Sequence, residues 1–150
     1  MYREHEYQVC IKHDDNPELI GKIFDVSTIH LKTRKVMIGY SLSKTHYGSR
    51  SLSFDDVELM QYTGIKDKNH NKIYEASIIK LTKKENKIKH FLLKSKPIIA
   101  EVEWSDEYLS YILISFSAKD AFENLSDYLD EYDIEVIGNA YKNPELLGGN

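Results

Sequence analysis

Apolar and polar residues alternate along most of this chain with a period of two. Tyr7, Val9 and Ile11 interleave with Gln8, Cys10 and Lys12, the mark of a half-buried strand. The turn-forming run HDDNP, His13 to Pro17, ends it. From Lys22 to Leu42 the pattern predicts a β-hairpin with a first arm KIFDVSTIHL and a turn KTRK. Its second arm puts Val36, Ile38, Tyr40 and Leu42 on one face. Leu19, Ile20, Ile23 and Phe24 also fit a helical turn, but Val26 and Thr28 favour strand. SKTHYGSRS, residues 43–51, is polar, aperiodic and contains glycine, so it reads as a surface loop. It also reads as the seam that closes an N-terminal β-rich lobe, residues 1–52.

The most legible stretch runs from Val57 to Lys80. Leu59 and Gln61 belong to a short strand that Gly64 closes, KDKNHN forms a turn, and SIIKL resumes as a strand buried on at least one side. TKKENK is a charged tip between SIIKL and KIKHFLL, which predicts an antiparallel hairpin, and Pro97 suits an edge or a strand start. IIAEVEW, the turn SDE and YLSYILIS predict another hairpin, with Ile98, Ala100, Val102 and Trp104 on one face and Glu101 and Glu103 on the other. A helix is expected next. Ser117 is its N-cap, Asp120 lies near its positive end, and Ala118, Ala121, Phe122, Leu125, Leu129 and Tyr132 recur at helical spacing. A last strand, DIEVIGN, precedes a one-turn helix opened by Asn143 and Pro144. Short, closely spaced strands with one or two brief helices indicate a mainly β protein, built as a small barrel or a curled sheet. Barrels remove exposed edges by closing on themselves.

At 150 residues the chain suits one domain or two small lobes. Hydrophobic residues at 41% and charged residues at 29% place it among folded globular proteins. No apolar run approaches the ~18 residues of a membrane span, and the polar start MYREHEYQ is no signal peptide. The single cysteine excludes an internal disulfide and a cysteine zinc cage. The expectation is a cytoplasmic protein. Its 11 tyrosines suit half-buried sheet faces and protein interfaces. The net charge of −4 hides two poles. One is basic, with Lys80, Lys83, Lys84, Lys87, Lys89, Lys94 and Lys96 against Glu85 alone; the other is acidic, with Asp120, Glu123, Asp127, Asp130, Glu131, Asp133 and Glu135 and no lysine or arginine.

FDDVELMQYTGIKDKN, KIYEASIIK, AEVEWSDEY and IEVIGNAYKNPELL occur in that order over roughly the last two-thirds of the chain. Together they resemble the YopX family of phage and prophage proteins. The N-terminal third matches less well, because EYQVCIK replaces the family's RAWD-like opening. Two departures touch the centre. Asn69-His70 stands where many members carry Asn-Gly, which predicts a turn longer than two residues; Ala76-Ser77 stands where many have Gly-Asp, so position 76 is expected to need no left-handed backbone. The resemblance implies an SH3-like β-barrel in residues 53–150 and expression from a phage or prophage inside a Gram-positive cell. It implies no activity, and no catalytic residue is carried over with it.

Candidate chemistry is sparse. Asp67, Asn69 and Asn71 alternate as in a calcium loop, but the glycine and glutamate such a loop needs are replaced by Lys72 and Ile78. A turn with hydrogen-bonding side chains is the simpler reading. The six histidines are scattered, with none at i, i+2 or i, i+4 from another, and His13 with Asp14 and Asp15 reads as a solvated turn. Cys10 lies on the strand face opposite Val9 and reads as an inert thiol. Glu101 and Glu103 lie on one face of a solvated strand, which offers no raised-pKa environment for acid–base work. No glycine loop cradles phosphate. These residues predict a non-catalytic protein with no cofactor and no metal.

The lysine-rich segment fits single-stranded nucleic acid, where cations track phosphates and Phe91 offers a stacking face. The net negative charge and the few arginines oppose that reading. The favoured expectation is protein association. If the basic hairpin (Lys80, Lys83, Lys84, Lys87, Lys89, Lys94, Lys96) and the acidic helix (Asp120, Glu123, Asp127, Asp130, Glu131) lie too far apart to meet within one subunit, they can meet between copies of a homo-oligomer. A host factor is the other expected partner.

Overall fold

A computed structural model describes residues 5–41, 43–84, 96–115 and 122–148. Among these, the strands are β1 (Tyr7–Ile11), β2 (Ile23–His30), β3 (Lys35–Ser41), β4 (Tyr47–Ser53), β5 (Val57–Lys66), β6 (Lys72–Tyr74), β7 (Ser77–Lys83), β8 (Ile98–Ser105), β9 (Ser110–Ser115), β10 (Phe122–Asn124) and β11 (Tyr132–Asn139). Short 3-10 turns cover Pro17–Leu19, Phe54–Asp56, Leu125–Tyr128 and Pro144–Leu147. The protein is mainly β, as the alternation predicts. Two compact units divide between Tyr62 and Thr63, inside β5.

In the first unit, sheet order runs β4-β3-β2-β1-β5, all antiparallel, and β5 continues into the second unit to pair with β6. The hairpin predicted over Lys22–Leu42 forms, with Val36 and Ile38 fully buried. They pack with Val9, Ile11, Leu52 and Val57, and each such side chain contributes about 1.5–3 kcal/mol by leaving water. The stretch expected as a loop at 43–51 is largely strand. Tyr47–Ser53 pairs residue for residue with β3, and Gly48 lies so close beneath the Tyr40 ring that a Cβ there would come within 2.9 Å of it. Leu52 is the one aliphatic residue of β4, so the segment shows no hydrophobic period. Its strand state comes from β3.

The second unit is a five-stranded antiparallel sheet in the order β10-β9-β8-β7-β11. Its core gathers Ile73, Ile79, Leu81, Ala100, Val102, Leu113, Leu125, Tyr128 and Ile134. Strand β7 is buried on both faces, since Ile78 and Ile79 are both inaccessible. KIKHFLL, expected as its hairpin partner, lies outside the described residues; β7 lies between β8 and β11. Among the described residues neither sheet closes on itself: β4 and β6 end one, β10 and β11 the other. Of the expected barrel or curled sheet, the described residues show two antiparallel sheets and no closed barrel.

Three local expectations are corrected. First, Gly64 does not end its strand; β5 passes through it at φ +88 and runs on to Lys66. Second, Ala76 does adopt the left-handed conformation, at φ +60. Its N–H donates to the Val102 carbonyl and its carbonyl accepts from the Ala140 N–H, both at 2.8 Å, and these two bonds hold it there. Third, the described part of the expected acidic helix is not an α-helix. Phe122–Asn124 pairs with Ile112–Ile114, and Leu125–Tyr128 forms a 3-10 turn. In a 3-10 turn residues three apart eclipse, so Leu125 and Tyr128 enter the core together while Leu129 stays exposed. Tyr132 belongs to β11. Residues 116–121, including Ser117 and Asp120, lie outside the described residues.

Candidate functional site

The two charged segments meet inside one chain. Strand β7 pairs with β11 so that Lys83 faces Tyr132, Thr82 faces Asp133 and Lys80 faces Glu135. Beyond the strand end, the Lys84 Nζ donates to the backbone carbonyls of Leu129 at 2.9 Å and Asp130 at 3.2 Å, and its backbone N–H donates to the Glu131 backbone carbonyl at 2.8 Å. Lys68 on the preceding turn pairs with Glu135 at 2.8 Å. The premise that the poles lie too far apart to meet within a subunit therefore fails for Lys80 and Lys84. Lys83 and Lys96 are exposed, as are Asp127, Asp130 and Glu131. Asp127 accepts a long bond from Asn124. Glu123 lies on β10. Lys87, Lys89, Lys94 and Asp120 lie outside the described residues.

The turn once compared with a calcium loop is anchored by its own first carboxylate. Asp67 is buried and accepts from the N–H groups of Asn69 and Asn71 at 2.8 Å, from Asn71 Nδ2 at 3.2 Å, and from the Val136 N–H at 3.0 Å. Burial pushes its carboxyl up. The bonds from Val136, Asn71 and Asn69 outweigh burial and hold the carboxyl below its ordinary value. Asp67 thus has a structural role, pinning the turn to β11. His70, in the glycine position of that turn, sits at φ +66.

An open cleft of about 390 Å³ in the first unit is lined by His13, Asp14, Asp15, Arg50 and Asp56 among others. The turn His13–Asp15 is not uniformly solvated. The Asp14 side chain is only 3% exposed, and its Oδ1 accepts from Arg50 Nη2 at 2.6 Å and from the Asn16 N–H at 2.8 Å. These bonds hold the turn against β4, from a partner 36 positions away that alternation does not reveal. His13 stays exposed, 3.9 Å from Asp56. Among the described residues no three or more His, Cys, Asp or Glu side chains gather as a metal site. Cys10 is buried, and burial, then Glu58, raise its thiol pKa. Glu101 departs from expectation: flanked in register by Ile78 and Ile114, it is half-buried. Burial, then the charge of Glu103, push its carboxyl up.

Among the described residues of the second unit, the β8–β9 tip is the most exposed apolar feature. Trp104 faces Tyr111 across the strands in an edge-on contact of 5.1 Å, on the sheet face that carries Val102 and Leu113 nearer the core. The loop that follows exposes Tyr108 by 54% and Leu109 by 74%, while Trp104 itself is 42% exposed. Asp106 accepts the indole Nε1–H at 2.9 Å, and Ser105 Oγ accepts the Tyr108 N–H at 3.2 Å. Leu109 lies at φ +50, in the conformation that glycine or asparagine would adopt more cheaply. The alternation placed Trp104 on the core face but could not show how far along the hairpin the core extends.

The family model for the YopX protein matches residues 19–148. This chain belongs to the YopX family. It is similar to protein EF1440 from Enterococcus faecalis, at 20% identity and a TM-score of 0.57, over 98% of this chain and 100% of that one. It is equally similar to protein yopX from Bacillus subtilis, at 20% identity and a TM-score of 0.57, over 97% of each chain. At that identity the likenesses establish the fold. No curated protein matches the chain. Among the described residues no helix is long and apolar enough to cross a membrane.

Proposed function

We propose that this protein acts by binding another protein surface, a second copy of itself or a host factor, and not by catalysis. The observation that carries the reading is the β8–β9 tip, where Trp104, Tyr108 and Leu109 are displayed to solvent within six residues. Aromatic side chains at such density are what interfaces bury as anchors. Self-association through complementary charge has lost support, because Lys80 and Lys84 already face acidic-segment neighbours in their own chain. Self-association through the apolar tip has not. The wider setting belongs to the same proposal: a phage or prophage protein in the cytoplasm of a Gram-positive cell, whose five-stranded sheet is the SH3-like part of the fold.

The test is size-exclusion chromatography with light scattering across a salt and concentration series, paired with capture from bacterial extract. Wild type and a Trp104→Ala/Tyr108→Ala double variant are compared. The expected result is a dimer or a captured protein that the double variant loses. A monomer with the same captured set in both proteins refutes the reading. Single-stranded nucleic-acid binding through Lys80–Lys96 is the second reading, supported by the exposed Lys83 and Lys96. It requires oligonucleotide binding with a steep salt slope, and absence of binding at low salt removes it.

A further inference from the structure

We infer that the β8–β9 tip docks a cationic, extended segment of a partner protein, with lysine or arginine side chains seated against Trp104 and Tyr108. This rests on the binding reading above and adds the chemistry of the partner. Three observations converge on it. The first is that the tip holds a costly conformation. Leu109 is both left-handed and 74% exposed, so it bears backbone strain and places an aliphatic side chain in water; neither serves the core of this unit. A partner surface that covers Leu109 removes the second of these costs.

The second observation is that the aromatic platform is fixed before any partner arrives. Trp104 is held from one side by the Asp106 carboxylate on its Nε1–H and from another by a T-shaped contact with Tyr111. A preset ring loses little freedom on binding, and an indole face is the strongest aromatic site for a cation.

The third observation is charge. Between Lys96 and Lys119 the chain carries Glu101, Glu103, Asp106 and Glu107 and no lysine or arginine. Asp106 and Glu107 are exposed in the same turn as Tyr108 and Leu109, while Glu103 is exposed on the opposite face of β8. A carboxylate rim around an apolar centre attracts and orients cations and repels phosphate, so the charge selects a basic polypeptide over nucleic acid at this surface. A long cationic side chain suits such a surface, since its stem covers apolar area while its head reaches the rim.

Trp104 is the only tryptophan, so its emission reads this tip directly in the intact protein. The probes are a ten-residue peptide alternating arginine and leucine and a matched peptide alternating glutamate and leucine. The expected result is a saturable change in Trp104 emission with the arginine peptide alone, weakening from low to high salt. Affinity is expected to fall about tenfold in D106N/E107Q, which removes two rim charges of modest individual effect. Because Asp106 also holds the indole, Tyr108→Ala serves as the independent variant and is expected to weaken binding to a similar degree, about tenfold, as an aromatic anchor would. Silence of Trp104 toward the arginine peptide overturns the inference, as does equal binding by all the variants. A response to the glutamate peptide alone also overturns it yet leaves protein binding at the tip intact. Emission that changes with the chain's own concentration assigns the tip to a second copy and overturns the separate basic partner.

Discussion

Replacing Asp67 by alanine tests whether one buried carboxylate holds the central turn. The side chain accepts three backbone N–H groups and one amide, and three of those four donors, on Asn69 and Asn71, lie on an exposed turn where water can replace it. The Val136 N–H sits on a half-buried strand and is harder to satisfy. Charge-assisted bonds of this kind contribute about 1.5–3 kcal/mol, and an orphaned buried donor costs about 1–3 kcal/mol. Discounting the three solvated donors leaves an expected loss of about 2–4 kcal/mol, a large share of the roughly 5–15 kcal/mol typical of a domain. Urea unfolding followed by Trp104 emission is the assay, because Trp104 lies in the same unit as Asp67. Acid supplies a second check. The folded pKa of Asp67 lies below its ordinary value of 3.8, so its stabilisation is complete above that value and is lost as pH falls through the folded pKa. The gap between wild type and Asp67→Asn should therefore be widest near neutrality and shrink below pH 3.8. A loss under about 0.5 kcal/mol in Asp67→Ala, the range of an ordinary surface change, refutes the reasoning. So does a wild-type-to-asparagine gap that is flat with pH.

Other substitutions probe the rest of the fold. His70→Gly should leave stability unchanged or raise it by up to about 1 kcal/mol, because relief at φ +66 slightly exceeds the added freedom of the unfolded chain; a loss in thermal denaturation would contradict this. Asp14→Ala should cost about 1–3 kcal/mol by leaving Arg50 without its carboxylate, seen as a lower urea midpoint; an unchanged midpoint would mean the pair does not hold the turn. Gly48→Ala should cost about 1–3 kcal/mol, because its Cβ would press on the Tyr40 ring; circular dichroism melting decides, and an equal midpoint counts against that contact. Lys84→Glu should lower stability by about 1 kcal/mol in urea, since a carboxylate cannot donate to the Leu129 and Asp130 carbonyls; no change would show that these bonds are not populated.

Alternation in this chain determined which segments are strands and which residues share a face. The hairpin of β2 and β3, the tip-forming hairpin of β8 and β9, and the final strand β11 follow from period-two patterning, because a pleated strand can bury only every second side chain. The YopX resemblance was likewise legible from four ordered stretches. Tertiary structure alone decided what alternation cannot encode. β4 became a strand because β3 offered a ladder, not because its own residues alternate between apolar and polar. Leu125 left the helical stripe and entered the core with Tyr128 from a 3-10 turn, because Phe122–Asn124 pairs with β9 instead of continuing a helix. Ala76 became left-handed because two backbone bonds, to Val102 on β8 and from Ala140 just past β11, outweigh its local preference. The exposure of Trp104, the burial of Asp14 and the meeting of Lys84 with its acidic neighbours depend on where each strand ends relative to the core. That distance is fixed only when the sheets assemble.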